Sequence, residues 1–155
     1  MILFRSENLR IKSDVLKINI FLIKMEIFFL RSKLYFLLQS IEIYLAQIAN
    51  SDRRDDFVVY SENFIGTIYR ATRDFTETFF TCNFSIHDIQ YSDRTGETIK
   101  ALGELNNLLI TWMTFKNQRA ARGQPFWNIS EEQRFINHMH TIANRLIRFQ
   151  ADFER

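Results

Sequence analysis

Arginine and histidine side chains near the end of the chain are the residues whose types and spacing are best suited to chemistry. Arg134 and His140 are separated by five residues in the run Arg134-Phe-Ile-Asn-His-Met-His140. A guanidinium is a permanent planar cation that suits phosphate, and an imidazole gains and loses a proton near neutral pH. On a straight helix the two side chains lie about 120° apart, an offset that a dimer interface can accommodate.

This R-x5-H run, at the start of the last predicted helix, resembles the R-x4–6-H signature of HEPN domains. These domains are small all-helical bundles that include metal-independent RNases of toxin–antitoxin and phage-defence systems. The resemblance covers seven residues and implies that Arg134 holds the scissile phosphate. It also implies that His140 acts as general acid or base on the 2′-OH or the leaving oxygen, and that two such motifs meet across a dimer.

Further cations surround this run and predict a second contact surface. Arg134, His138, Arg145 and Arg148 recur at helical spacings of four, seven and three, which predicts a cationic stripe beside the apolar one. A predicted loop over residues 116–128 precedes them. Its candidate binding residues are Lys116, Arg119, Arg122, Phe126 and Trp127. An exposed Phe126-Trp127 pair would bind a partner, whereas a buried pair would hold the loop onto the bundle.

Most cofactor-dependent chemistries have no motif in this sequence. The chain contains no phosphate-binding or dinucleotide-binding glycine loop and no nucleophile elbow. His138 and His140 are two residues apart, so on a helix they point about 200° apart and cannot share a metal ion. A single cysteine, Cys82, excludes an intramolecular disulfide and a cysteine-rich zinc site. We expect no metal and no small-molecule cofactor.

The elements that would position these residues read as helices, and the first is the longest. Its apolar residues alternate spacings of four and three, an a/d heptad repeat. They are Leu16, Ile20, Ile23, Ile27, Leu30, Leu34, Leu37, Ile41, Tyr44 and Ile48. Phe28, Phe29, Tyr35 and Phe36 widen this stripe, which predicts a helix largely surrounded by protein. Residues 1–24 are either a basic extension or the start of this helix, and translation from Met25 is the alternative start.

Three further helices are predicted from the same periodicity, over about 57–80, 97–117 and 130–153. The segment 82–96 reads as a connection of mixed character. Ser130-Glu-Glu-Gln133 has the pattern of a capping box that begins the last helix. Helix two should bury Tyr60, Phe64, Ile68, Ala71, Phe75 and Phe79. Helix three should bury Ile99, Leu102, Leu105, Leu109, Trp112 and Met113, and helix four Phe135, Met139, Ile142, Leu146 and Phe153. These segments predict an all-α, antiparallel four-helix bundle, with residues 25–155 as one domain.

Composition and charge narrow the class further. The 155 residues are 46% hydrophobic and 25% charged, as in globular proteins, and the net charge is +2. Residues 1–40 hold seven basic and three acidic side chains, a net of +4, and residues 41–155 hold 13 basic and 15 acidic, a net of −2. Charges interrupt the apolar run from Val15 to Leu38, which argues against a membrane span. We therefore expect a cytoplasmic protein.

Three functions remain open at this stage. The first is association, either with a second copy or with a partner helix, through the heptad helix and the basic 116–128 loop. The second is a HEPN-like, metal-independent RNase that acts on RNA through Arg134 and His140. The third, least favoured, is attachment of the basic N-terminal helix to an anionic membrane surface.

Overall fold

The computed structural model describes residues 2–51, 56–81, 92–123 and 128–153. Within these ranges the chain forms four helices and no strand, which confirms the all-α prediction. The helices are α1 (Ile2–Ala49), α2 (Asp56–Thr81), α3 (Ser92–Ala121) and α4 (Ile129–Phe153). Each of them packs against two neighbours, so that α1 and α3 both lie between α2 and α4.

Contacts between α1 and α2 show that these two helices run in opposite directions. Lys33 Nζ lies 2.9 Å from Asp74 Oδ1. Further along α1, the Tyr44 hydroxyl is hydrogen-bonded to the Ser61 hydroxyl at 2.6 Å. Higher residue numbers on α1 therefore meet lower numbers on α2, as expected for two helices joined by a short connection.

The same relation holds for α3 and α4. Arg119 Nη2 lies 2.9 Å from Glu131 Oε2, and Arg145 at the other end of the pair bonds to Glu104. Phe57 and Phe75 of α2 contact Phe135 and Phe149 of α4, so α2 and α4 run in the same direction. The four helices therefore form an up-down-up-down bundle, the arrangement predicted from the sequence.

Aromatic rings from α2 and α4 meet diagonally across the bundle core. The Phe75 and Phe79 rings both contact Phe149, with centroids 6.5 Å and 5.6 Å away. At the opposite end, Phe57 packs edge-to-face on Phe135 at 5.9 Å. Such pairs contribute about 0.5–1.5 kcal/mol each beyond their buried area. These contacts fix the position of α4 along the axis of α2.

Most predicted core positions are buried. On α1, Leu30, Leu34, Leu37, Ile41 and Tyr44 are almost wholly inaccessible to solvent. The predicted stripes of α2 and α4 are confirmed, with Tyr60 and Phe64 half-buried, and Phe149 also joins the core. The side chains of Ile23 and Phe153 are not among those that the structure describes.

The predicted burial of α1 on all sides is wrong. Phe28, Phe29, Tyr35 and Phe36 are exposed, as are Leu16 and Ile20 at the start of the heptad. Periodicity identifies an apolar face but does not say whether anything covers it. Among the described side chains of α1, those that pack on the bundle lie on one face, from Leu30 to Ile48.

Helix α3 is longer than predicted at both ends, and this corrects the loop prediction as well. The helix begins at Ser92, runs through Gly96 and continues to Ala121. Gly123 then takes a left-handed conformation with φ 65°, which only glycine adopts without strain, and this ends the helix. Lys116 and Arg119 therefore lie on α3 and not in a loop. Within α3, Thr98 is buried in place of the predicted Ile99, which is exposed.

The start of α4 also differs from the prediction. The helix begins at Ile129, and the Asn128 side-chain oxygen accepts a hydrogen bond from the Glu131 amide at 2.8 Å. Asn128 is therefore the N-cap, and Ser130, predicted to cap, lies inside the first turn. Glu131 and Glu132 occupy that first turn, where the helix dipole favours negative charge.

Within the described ranges, none of the helices is both long enough and apolar enough to cross a membrane.

Candidate association surfaces

A second apolar stripe runs along the face of α1 that no other described helix covers. Its side chains are 37–60% exposed and again alternate spacings of four and three. Ser32 and Gln39 fill the two gaps in that repeat. We call this set the outer stripe: Ile11, Val15, Ile18, Leu22, Met25, Phe29, Phe36 and Ile43.

The outer stripe is separate from the face of α1 that packs on the bundle. At 3.6 residues per turn, Phe36 lies roughly 130° around the helix from the mean direction of Leu34, Leu37 and Ile41. Phe21, Phe28 and Tyr35 lie along one edge of the stripe and are also exposed. Taken at roughly 100 Å² for each half-exposed side chain, the eleven residues present about 1,000 Å² of apolar surface. Monomers seldom expose apolar patches above about 600 Å², and this patch is larger.

The N-terminal part of α1 extends beyond the bundle. Given the pairing of Lys33 with Asp74, Thr81 at the end of α2 lies opposite about residue 26 of α1. Every side chain described between residues 9 and 25 is exposed. We call residues 9–25 the overhang. Its four basic residues and one acidic residue give a net charge of +3.

The cations predicted to form a basic loop are held in ion pairs on helix α3. Lys116 Nζ lies 2.9 Å from Glu62 Oε1 of α2 and sits over the Trp112 ring. Arg119 pairs with Glu131, as described above, and its guanidinium stacks on Phe115 at 5.5 Å. These two cations therefore join helices of the bundle, with carboxylates that largely cancel their charge.

The middle of the predicted cationic stripe on α4 is also charge-compensated. Arg145 bonds to Glu104 and reaches Glu97 Oε2 at 3.4 Å, both from α3. His138 Nε2 lies 3.9 Å from Glu104 Oε2. Arg145 is mostly covered, so its main contact is with α3 and not with solvent.

Arg134, His140 and Arg148 are exposed. The Arg134 Nε donates to the Ser130 carbonyl of its own helix at 3.4 Å. Within the described chain, none of the three forms an ion pair with a carboxylate. A shallow depression between α3 and α4 includes Arg134 and His138 but not His140. The single chain therefore brings Arg134 together with His138, and His140 lies on another part of the helix.

The remaining predicted binding residues are Arg122, Phe126 and Trp127. Arg122 is exposed in the turn that follows α3. Phe126 and Trp127 lie outside the described residues.

The acidic partners of these cations were not identified from the sequence. Glu97 and Glu104 are seven residues apart and share one face of α3, which was a usable signal once α3 and α4 were taken as antiparallel neighbours. The outer stripe carried a clearer signal, because its own four-three spacing continues from Ile11 to Ile43. In the part of the chain that the structure describes, no group of three or more metal-ligating side chains is placed to hold an ion.

Comparison with known proteins finds no family model, curated protein or solved structure that matches this chain.

Proposed function

We propose that this protein functions by protein association, and that the outer stripe of α1 binds an α-helix. The observation that carries the proposal is the run of exposed, large apolar side chains at heptad spacing on a face that no described helix covers. Removing these side chains from water would favour association at roughly 25 cal/mol per Å² before the costs of ordering are counted.

The spacing supports a helix as the bound partner. Side chains spaced by four and three residues drift slowly around a straight helix, so they stay in contact along its length only with a partner that winds around it. A second helix meets this condition, and its side chains fill the gaps between neighbouring residues of the stripe. The stripe spans residues 11–43 and is therefore about 48 Å long at 1.5 Å per residue.

Site-specific photo-crosslinking tests this proposal. A benzophenone amino acid is placed singly at Leu22, Phe29 and Phe36 of the outer stripe, and the protein is irradiated in its own host cells. Matched controls carry the same group at Ile110 of α3 and Ile147 of α4, which are exposed apolar residues outside α1. The protein joined to each position is then identified by peptide mass spectrometry.

We expect adducts to one and the same helical segment at all three stripe positions and none at the two controls. That periodicity is characteristic of a helix docked along the stripe, and random contacts do not produce it. Equal labelling at stripe and control positions, or no adduct at any of them, would refute the proposal.

A second candidate function is the metal-independent RNase implied by the HEPN resemblance. The observation in its favour is that Arg134 and His140 are both exposed and engaged by no carboxylate of the described chain, so the cation is available to a phosphate. The test is RNA cleavage in EDTA by wild-type protein, His140→Ala and the matched control His138→Ala. Loss of cleavage in His140→Ala alone would support the RNase, and equal cleavage by all three proteins, or none, would reject it.

A further inference from the structure

We propose that the helix bound by the outer stripe is α1 of a second copy, and that the two α1 helices run antiparallel. This inference rests on the proposed function and names its partner. In such a pair, the overhang of each chain lies on the outer stripe of the other beside its bundle. The two bundles then lie at opposite ends of the paired helices.

The area of the outer stripe fits a dimer. The stripe and its aromatic edge offer about 1,000 Å² per chain, comparable to the roughly 800 Å² per partner of a standard stable interface. A two-fold pair uses the same patch on both chains, so one exposed stripe is sufficient to build the whole interface.

The distribution of side chains along the stripe favours the antiparallel direction. When the helices cross near residue 27, positions whose numbers sum to 54 face each other. Met25 then meets Phe29 of the second copy, and Ile18 meets its Phe36. In the same register, Leu22 of the second copy fills the space over the small Ser32 and Val15 packs on the stem of Gln39, whereas a parallel pair would leave a gap between two Ser32 side chains.

Charge favours the same direction. The overhang carries a net charge of +3, whereas residues 26–155 hold 15 basic and 16 acidic side chains, a net of −1. A parallel pair would place two overhangs of net +3 side by side. The antiparallel pair places each overhang beside the near-neutral body of the other chain, which removes this repulsion.

The mass of the purified full-length protein in solution tests the pairing. We expect the wild type to have twice the chain mass in sedimentation equilibrium, and Phe36→Glu to have the mass of one chain. Phe36 is exposed, so the substitution leaves the core intact, and circular dichroism checks the fold. The matched control Ile147→Glu changes an exposed apolar residue of α4 and should leave the dimer unchanged.

The direction of the pair is tested with single cysteines in a Cys82→Ser background. Leu22→Cys and Ser32→Cys chains are mixed, allowed to exchange and oxidised. Antiparallel pairing predicts the mixed 22–32 disulfide and little disulfide within Ser32→Cys alone. A self-linked Ser32→Cys dimer without the mixed product would overturn the antiparallel arrangement.

A wild type that is monomeric at all concentrations would overturn the second copy as partner. The photo-crosslinks then decide the proposed function separately, because adducts to another protein at stripe positions would keep it. A monomer that sediments with vesicles containing phosphatidylglycerol, and loses this on Phe36→Glu, would assign the stripe to a membrane surface and also overturn the pairing.

Discussion

Tyr44 shows at the scale of one residue how α1 is fixed to the bundle. Its ring is buried in the core and its hydroxyl is shared with the buried Ser61 hydroxyl of α2. Burial raises the pKa of the Tyr44 phenol far above its ordinary value. The hydrogen bond with Ser61 acts in the opposite sense, and the charge of Glu132 adds to the increase. A polar pair of this kind specifies one register between α1 and α2, because a slipped helix would leave both hydroxyls unpaired.

The raised pKa of Tyr44 predicts a loss of stability at high pH. Below about pH 10 the phenol is protonated in both the folded and the unfolded chain and adds no pH dependence. Above that pH the unfolded chain releases the proton while the folded chain keeps it, so the free energy of unfolding decreases as pH rises. Urea unfolding at pH 8 and pH 11 should show this decrease to be smaller in Tyr44→Phe than in the wild type. An equal decrease in both proteins would contradict the assignment.

The Tyr44–Ser61 pair also predicts that, at neutral pH, removing one hydroxyl destabilises the protein more than removing both. Tyr44→Phe leaves a buried Ser61 hydroxyl without a partner and should lower the free energy of unfolding by about 1–3 kcal/mol. Adding Ser61→Ala to that variant removes the unpaired group and should recover part of the loss. Urea unfolding of the two single variants and the double variant measures this coupling. Strictly additive losses would show that the hydroxyls do not interact.

At the scale of elements, the start of α4 depends on Asn128. Asn128→Ala should lower the free energy of unfolding by about 1 kcal/mol, because the Glu131 amide loses its side-chain acceptor. The matched control is Ser130→Ala, in the exposed first turn, which should stay within about 0.5 kcal/mol of the wild type. Thermal or urea unfolding of both variants distinguishes the observed cap from the capping box expected at Ser130. A larger loss in Ser130→Ala would contradict the cap seen here.

The elements also show what the sequence could and could not predict. Four helices and most of their core residues follow from apolar periodicity. Leu34, Phe75 and Met139 each belong to a stripe of apolar residues on one helix face, and that whole face turns toward the core. Boundaries were less predictable: Gly96 reads as a helix breaker, yet packing of Thr98 and Ala101 outweighs a cost of about 1 kcal/mol.

The candidate sites were predictable only in part, because the sequence shows which residues are charged or apolar but not what they contact. Arg145 and Lys116 could be identified as cations from the sequence alone. Their pairing with Glu104 and Glu62 could not, because it depends on the height of one helix against another. The apolar residues of α1 were likewise evident. Whether Phe29 and Phe36 are covered depends on how many helices surround α1, and the periodicity of one helix does not reveal that number.

At the scale of the whole molecule, α1 is too long for the bundle. Its 48 residues span about 72 Å, whereas the 25 residues of α4 span about 38 Å. The overhang therefore lacks the tertiary packing that provides most helical stability in proteins, and isolated helices of this length are only marginally stable in water. A stable overhang requires a partner that covers it.

The central claim is that the exposed apolar face of α1 is an association surface. Amide hydrogen exchange across α1 tests this claim most directly. We predict slow exchange of the overhang amides in the wild type, because a bound helix protects them. Phe36→Glu, which lies outside the overhang, should make exchange there fast while leaving residues 30–45 protected by the bundle, and Ile147→Glu should change neither. Fast exchange of the overhang in the wild type at every concentration, unchanged by Phe36→Glu, would contradict the account.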